Sequence, residues 1–314
     1  MRSKPQKLHI RLARLEDTAD ITAVHCSYTD KWTRTIDAET DAVPYDSLSI
    51  AERWGFGGPW MSVETCAIHL NNMLLKRHHP LVALTGDRLA GETELFIGRE
   101  GEQFGKNAHV GLLYVAKGCT GKGIGRAMLE KAVSIAAENN CDSITVASKP
   151  STIGFYEACG FKRSGTLVEV EALTKKYDVK TDPISGQFND SAFAWGMSMP
   201  VGRYQSSAFH LFELSDACAI PGTLSLSKEM THVSVGGSRS LISLAIDESQ
   251  QRATVFGWTQ GASTADITMA ALSILHVKGV KYANILLSLK DYQQMEDKLE
   301  AALKGSRDLL VRKP

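Results

Sequence analysis

The chain has 314 residues, 43% of them hydrophobic, and its 35 lysines and arginines balance 35 aspartates and glutamates. That length favours two domains over one, and a formal net charge of zero offers no electrostatic capture of nucleic acid or of an anionic membrane. The cysteines (Cys26, Cys66, Cys119, Cys141, Cys159 and Cys218) make no Cys-x-x-Cys pair and no metal-ligand spacing with histidine, so they read as reduced, mostly buried thiols, with no metal site. Met1-Arg2-Ser3-Lys4-Pro5 is basic without an apolar h-region, and no apolar run reaches membrane-spanning length. The expectation is a cytoplasmic protein.

Strand and helix signals alternate through the first half. Leu8 to Ala13 reads as a strand, leading to a helix through Ile21 and Val24. From Thr33 to Ser62 runs a long stretch with Pro44, Gly55, Gly57, Gly58 and Pro59, which carries Trp54, Phe56 and Trp60. Val63 to Lys76 is helical by the spacing of Cys66, Leu70, Met73 and Leu74. Lys76-Arg77-His78-His79 then reads as a solvated helix end. Leu81 to Leu84 and Leu89 to Ile97 form a hairpin around Gly86-Asp87. The apolar run Leu112-Leu113-Tyr114-Val115 feeds Thr120-Gly121-Lys122-Gly123-Ile124-Gly125, and a helix follows with Met128, Leu129, Ala132, Val133 and Ala136 on one face.

A glycine turn between a strand and a helix lets a ligand approach the backbone, and the free N–H groups of the helix's first turn suit a pyrophosphate. A P-loop is excluded, because Gly123 follows Gly121-Lys122 and Ala116 stands where its first glycine belongs. A dinucleotide fingerprint is weak: its third glycine falls on Arg126, and Ser148-Lys149 rather than an acid follows the strand Ser143 to Ala147. A glycine turn that only permits tight packing accounts for most isolated matches. Here a second motif follows, Gly154-Phe155-Tyr156-Glu157-Ala158-Cys159-Gly160-Phe161.

Together the two segments resemble the GNAT superfamily of acyl-CoA N-acetyltransferases, whose glycine turn is followed by a Phe-Tyr-x-x-x-Gly-Phe segment. The resemblance covers roughly residues 8–200, with Ile10 to Arg14 as the opening strand and Glu16-Asp17 at the first helix. Three residues depart from the pattern: Thr120 replaces the usual Arg or Gln, Lys149 a common Asn, and Thr152 a frequent Ala. The resemblance implies an α/β fold (an α+β mixed sheet) with a central sheet flanked by helices. It also implies acetyl-CoA as co-substrate and direct attack by a primary amine, small-molecule or peptide, in a ternary complex.

Four tasks follow for the implied site. Gly121, Lys122, Gly123, Ile124, Gly125 and Arg126 would hold the pyrophosphate, with Thr120 at the head of the turn and Lys149 and Phe155 from the second motif. Leu113, Tyr114 and Val115 would offer backbone to the pantetheine, and the Leu113 N–H would face the thioester oxygen. Tyr156 would protonate the departing thiolate; the plain alternative is a core tyrosine beside Phe155. His109, at the start of the strand before the turn, would serve as general base, since an imidazole titrates near about 6.5; Glu94, alternating with Glu92, competes for that role. Trp54, Phe56 and Trp60 line an acceptor pocket or cover the core, with the balance toward the core. A non-catalytic acyl-CoA sensor is the alternative reading, motivated by Thr120 and Lys149.

In the second half, Val170 to Asn189 reads as a long loop and Ser191 to Met199 completes the first domain, placed at 1–200. Residues 201–314 form a smaller α/β domain. Its strands are Leu241 to Ile246, Ala253 to Trp258, Ala283 to Leu289 and Leu309 to Val311; its helices run through Ile267 to Leu275 and from Tyr292 to Lys304. The order repeats that of residues 110–170, so a second, degenerate GNAT-like unit is one reading and an unrelated α/β module another. Gly261-Ala262-Ser263-Thr264 takes the place of the glycine turn without its spacing. A homodimer is a further expectation.

Overall fold

The computed structural model describes residues 7–36, 39–99, 104–202, 226–247 and 251–314; Cys218 lies outside these. In chain order the elements are β1 (Leu8–Leu12), α1 (Thr18–Cys26), β2 (Thr33–Ile36), β3 (Glu39–Ala42), α2 (Ile50–Trp54), α3 (Val63–Leu75), β4 (His79–Thr85), β5 (Arg88–Arg99) and β6 (Lys106–Val115). Then come α4 (Ile124–Glu138), β7 (Ser143–Ser148), α5 (Ile153–Ala158), β8 (Lys162–Leu173), β9 (Thr181–Pro183), α6 (Asp190–Ala194) and β10 (Ser198–Val201). The rest are β11 (Leu226–Val235), β12 (Ser238–Asp247), β13 (Arg252–Thr259), α7 (Thr264–Val277), β14 (Tyr282–Ser288), α8 (Leu289–Met295) and β15 (Ala301–Arg312). Two compact units result, and they do not follow chain order. The first holds the described residues up to Phe96 together with Val110–Glu138; the second holds Ile97–His109 and the described residues from Asn139 onward.

In the first unit the strand order is β1, β4, β5, β6. Ile21 and Val24 of α1 and Cys66 and Leu70 of α3 pack with Val82 and Leu89 on one face. On the other, Ile124 and Met128 of α4 pack with Ala83 and Ala90. One extra residue decides what faces where. Ala83 pairs with Gly91 but Leu84 with Leu89, which leaves Ala90 as a bulge. A bulge advances the side-chain alternation by one. Leu89 therefore joins the α1–α3 side while Ala90 meets α4, and a Cβ on Gly91 would also meet Met128, at 3.0 Å from its Sδ. Beyond the bulge Glu92 and Glu94 return to the α1–α3 side. The expected helix end after α3 is only half right: Lys76 and Arg77 are exposed, but His78 is buried and His79 opens β4.

In the second unit the order is β7, β15, β8, β14, β13, β12, β11, β9, with β10 paired to β13 off this path. One face is covered by α7 and α8, whose Ile267, Ala271, Leu275, Tyr292 and Met295 pack with Val168, Val170, Val255 and Ile285. Parallel pairing of β13 with β14 covers only Arg252–Thr254 and Tyr282–Asn284. Beyond it, β10 lies antiparallel on β13, Val201 opposite Gly257, and the Gly202 N–H donates to the Leu286 carbonyl at 2.9 Å.

Several sequence expectations are corrected here. The expected helix through Lys304 stops at Met295, and the last strand begins at Ala301 rather than Leu309. Ala301-Ala302-Leu303-Lys304 favours a helix by propensity, but its backbone pairs with Ala172, Glu171 and Val170 of β8. Residues expected in a loop from Val170 supply the end of β8 and all of β9. Ser191 to Met199 divides between α6 and β10 because Phe193, Ala194, Met197 and Met199 fold over Leu241 and Trp258. Among the described cysteines, Cys66 and Cys159 are buried and Cys26, Cys119 and Cys141 are partly exposed.

At Gly257 a Cβ would lie 2.5 Å from Ile267 Cγ2 and 3.3 Å from Val201 Cβ. Gly257→Ala should therefore destabilise the fold by about 1–3 kcal/mol, the range for overpacking a filled core. Chemical denaturation measures this, and an unchanged midpoint would mean that α7 yields without cost.

Candidate functional site

In the first unit the chain leaves β6 at Val115 and is tied at once. The Ala116 N–H donates to the Ala90 carbonyl at 2.9 Å and the Lys117 N–H to Ser27 Oγ at 3.0 Å, while Tyr28 Oη donates to the Val115 carbonyl at 2.5 Å. After the short turn Lys117–Cys119, Gly121 and Gly123 adopt φ of +74° and +78°. A Cβ on either would meet nothing within 4 Å. These two glycines therefore do not serve packing. They hold a left-handed backbone and keep open the space in front of α4, whose first turn presents N–H groups there. Lys122 turns back, its Nζ donating to the Gly118 carbonyl at 3.0 Å, and Thr120 Oγ1 donates to Lys117 O at 3.2 Å. Leu113 and Val115 pack toward α4, whereas the Tyr114 ring meets His25 at 4.3 Å and Tyr28 at 5.6 Å on the other face.

Below that ring is a buried polar network. Glu92 Oε2 lies 2.6 Å from His25 Nε2, and Glu94 Oε1 lies 2.7 Å from His69 Nε2 while accepting from Trp60 Nε1 at 2.9 Å. Trp60 stacks on His25 at 5.2 Å and meets His69 edge-on at 5.1 Å. Both carboxylates are at most 2% exposed. Burial holds the Glu92 carboxyl above its ordinary value, against the contrary pull of His25. Of the loop aromatics, Trp60 thus covers core, and Phe56 packs edge-on against Trp32 at 4.7 Å.

The second unit carries His109, Lys149, Phe155 and Tyr156. Tyr156 lies on α5, 9% exposed, in edge contact with Phe155 and Phe161. Burial, helped by the neighbouring Cys159, pushes its phenol up to about 12. The group is therefore a protonated donor at neutral pH. Lys149 is exposed, and its carbonyl accepts from the Thr152 N–H at 3.0 Å.

His109 is 1% exposed on β6 and ends a directional chain of hydrogen bonds. Ser143 Oγ donates to the Phe104 carbonyl at 2.8 Å, which uses its one hydrogen. The atom of Asn107 at 2.8 Å from that oxygen is therefore its NH2 donor, and Asn107 Oδ1 accepts from Thr145 Oγ1 at 3.1 Å. With its hydrogen committed, Thr145 Oγ1 can only accept from His109 Nδ1, 3.2 Å away. His109 Nδ1 is therefore the donor in that contact.

His109 also lines a cavity of about 460 Å³ on the face of the second unit's sheet opposite α7 and α8. Strand register builds it: β15 sets Leu309 opposite Ala147 on one side and Arg307 opposite Leu167 on the other. Leu167, Leu286, Leu309 and Phe256 form an apolar lining, and Glu169, Lys304 and Arg307 bring charge. Arg307 Nε donates to Glu169 Oε1 at 2.7 Å, and Lys304 Nζ lies 2.8 Å from Glu171 Oε1.

The expected counterpart of the glycine turn, between β13 and α7, differs from the first. Thr259 Oγ1 accepts from the N–H groups of Gly261 and Ala262 at 3.2 and 2.9 Å, and Ser263 Oγ caps α7 by accepting from Asp266 N at 3.1 Å. Donors that a phosphate would need are thus taken by the turn itself, and the Asp266 carboxylate sits in the helix's first turn. Sequence reasoning missed His25, His69, Glu169, Lys304 and Arg307. Two acids alternating in an otherwise apolar strand, Glu92 and Glu94, were the available signal for the first pair. Among the described residues no group of His, Cys, Asp and Glu is arranged to hold a metal, and no helix is long and apolar enough to cross a membrane.

Residues 45–161 match the model of the Acetyltransferase (GNAT) family. Glucosamine 6-phosphate N-acetyltransferase of Candida albicans is 31% identical over 90 residues, 28% of this chain and 60% of that enzyme. The chain thus spans three-fifths of the length of the curated relative it matches. Among solved structures, a GCN5-related N-acetyltransferase from Anabaena variabilis is similar with a TM-score of 0.58 and 10% identity, over 98% of this chain and 73% of that one. A tandem GNAT protein from the clavulanic acid biosynthesis pathway is similar with a TM-score of 0.52 and 13% identity, over 98% of each chain. At these identities the likeness is one of fold.

The raised Glu92 carboxyl has a consequence for stability. Because the folded state holds this proton more tightly than the unfolded chain, the associated stability is present below the ordinary carboxylate value of 4.5 and is lost as pH rises through the folded value above it. Glu92→Gln, which keeps an acceptor for His25, should lose less stability than the wild type as pH rises through that window. Urea denaturation of both proteins across acid to neutral pH checks this, and parallel curves would contradict it.

Proposed function

We propose that the chain is an acetyl-CoA-dependent N-acetyltransferase acting on a primary amine by direct attack in a ternary complex, a reading supported by the match of residues 45–161 to the Acetyltransferase (GNAT) family model. The observation that carries this reading is the turn at Gly121 and Gly123, where left-handed backbone and open space coincide at the start of α4. That geometry fits a pyrophosphate held by backbone N–H groups, with Lys122 and Arg126 adjacent in sequence. Leu113, Tyr114 and Val115 would present backbone to the pantetheine, in a strand end anchored by Tyr28 and Ser27. The co-substrate supplies an activated thioester, whose carbon–sulfur bond breaks as the bond to nitrogen forms.

Two side chains manage protons in this reading. His109 takes one from the ammonium, a role supported by its place on the strand that leads to the glycine turn. Tyr156 gives its phenolic proton to the departing sulfur, a role supported by the Phe155-Tyr156 motif and by a phenol that burial keeps protonated. Glu94 already accepts from Trp60 and faces His69 through the same oxygen, which supports a framework role for it. We place the two GNAT-like repeats at 1–200 and 201–314. The second repeat is proposed to have lost its co-substrate site, because β10 and Gly202 fill the separation of β13 from β14 and the turn after β13 is capped internally.

Calorimetric titration with acetyl-CoA should give one site per chain, and two equivalent sites would refute the loss in the second repeat. Gly123→Ala forces a side chain into a left-handed position at a cost of about 1–2 kcal/mol and should weaken acetyl-CoA about tenfold. Tyr156→Phe should lower kcat by about 100-fold or more and leave acetyl-CoA affinity unchanged. Acetyl-CoA binding with no turnover of any amine by the wild type would favour the acyl-CoA sensor instead.

A further inference from the structure

Nothing in the binding of acetyl-CoA requires the cavity on the face of the second unit's sheet opposite α7 and α8, and its charges give the first clue to an occupant. Arg307 Nε donates to Glu169 Oε1 at 2.7 Å and Lys304 Nζ lies 2.8 Å from Glu171 Oε1, so each lysine or arginine in the lining already has its counter-ion. A charged ligand would have to break one of these pairs or lose its water without gaining a partner. We propose that the cavity binds a small uncharged molecule with an apolar body and one hydrogen-bonding end, such as an alcohol or an amide.

Two neighbouring strands supply both ends of such a site. Thr254 of β13 stands directly opposite Asn284 of β14, and two residues further along the same face come Phe256 and Leu286, all four in the lining. A polar rung is thus followed by an apolar one about 7 Å away, at ~3.3 Å per residue. Leu167 and Leu309, each 2% exposed, continue the apolar floor toward Ala147 of β7. No described residue hydrogen-bonds to the side chain of Thr254 or Asn284, and both are exposed. Asparagine is disfavoured inside strands, yet an Asn amide beside a Thr hydroxyl can donate to and accept from one ligand group at once. The volume of about 460 Å³ lies within the range of small-molecule sites, which combine an apolar lining with a few placed polar groups.

Depth argues for a small molecule over a protein partner. The floor residues Leu167 and Leu309 are buried, whereas Lys304, Thr254 and Asn284 around them are exposed. A second protein surface would rest on those exposed side chains, while a molecule of ten or so heavy atoms (about the reach of the two rungs) can touch floor and polar rung together.

The assignment does not rest on acetyl transfer, so it is tested without acetyl-CoA. Calorimetric titration of the full chain with 2-naphthol should give one site with a Kd of about 0.1 mM or tighter. The anion 2-naphthoate and the cation 2-naphthylmethylammonium keep the ring system and add a charge, and each should bind about 10-fold or more weakly. Leu286→Trp fills the space and should abolish binding. Thr254→Val keeps the shape of an exposed side chain but removes its hydroxyl, and should weaken 2-naphthol about 3- to 10-fold. Circular dichroism confirms that the variants fold. No binding of 2-naphthol, equal affinity for the charged probes, or binding indifferent to Thr254→Val would overturn the proposal. A dimer seen by sedimentation that Leu286→Trp dissociates would assign the floor to a second copy of the chain and overturn it equally.

Discussion

Everything in the second unit depends on where β15 lies. It pairs on one side with β7, from Asp308 opposite Ser148 to Arg312 opposite Ile144, and on the other with β8. Its two register shifts, near Gly305 and between Leu309 and Leu310, adjust the strand to both neighbours at once. Further bonds lock the arrangement: Thr166 Oγ1 donates to Asp308 at 2.9 Å, and Arg312 donates to the carbonyl of Cys159 at 2.7 Å, just after the helix that carries Tyr156. A slip of one residue would turn Arg307 and Leu309 away from Leu167 and Ala147 and remove the cavity.

A comparable constraint governs the first unit, on a smaller scale. The single extra residue at Ala90 decides that Glu92 and Glu94 face α1 and α3. Two carboxylates buried that deeply are tolerated because each has a histidine within hydrogen-bonding distance, with Trp60 between the two pairs. The network also reaches the surface side of β6 through the Tyr114 ring. Polar burial, the strand end and the start of the glycine turn are therefore one mechanical piece.

Much of the first half was legible because its signals are local. Helical spacing through Cys66, Leu70 and Met73, the turn at Gly86-Asp87, and the glycines before Met128 each lie within a few residues of what they specify. The partners of Glu92 and Glu94 were not legible, since His25 is 67 positions from Glu92 and His69 is 25 from Glu94. The same holds for Arg307, which meets Glu169 across 138 positions. Residues 301–304 were misread for a different reason: their intrinsic preference is helical, and only pairing with a distant strand overrides it. His109 was visible as a residue type at a strand position. The polarity of its hydrogen-bond chain depends on Ser143 and Thr145 of a neighbouring strand, which no spacing announces.

The double pairing of β15 also sets an order of events during synthesis. Until residues 301–312 have been made, β7 and one side of β8 present unpaired strand edges, the kind of surface that invites wrong partners. The contact of Thr166 with Asp308 closes a loop of 142 positions, and such non-local pairing is slow to form. A ribosome-bound chain stopped short of Ala301 would thus hold a glycine turn and an incomplete second sheet, and would be a natural client for chaperones that shield exposed strands.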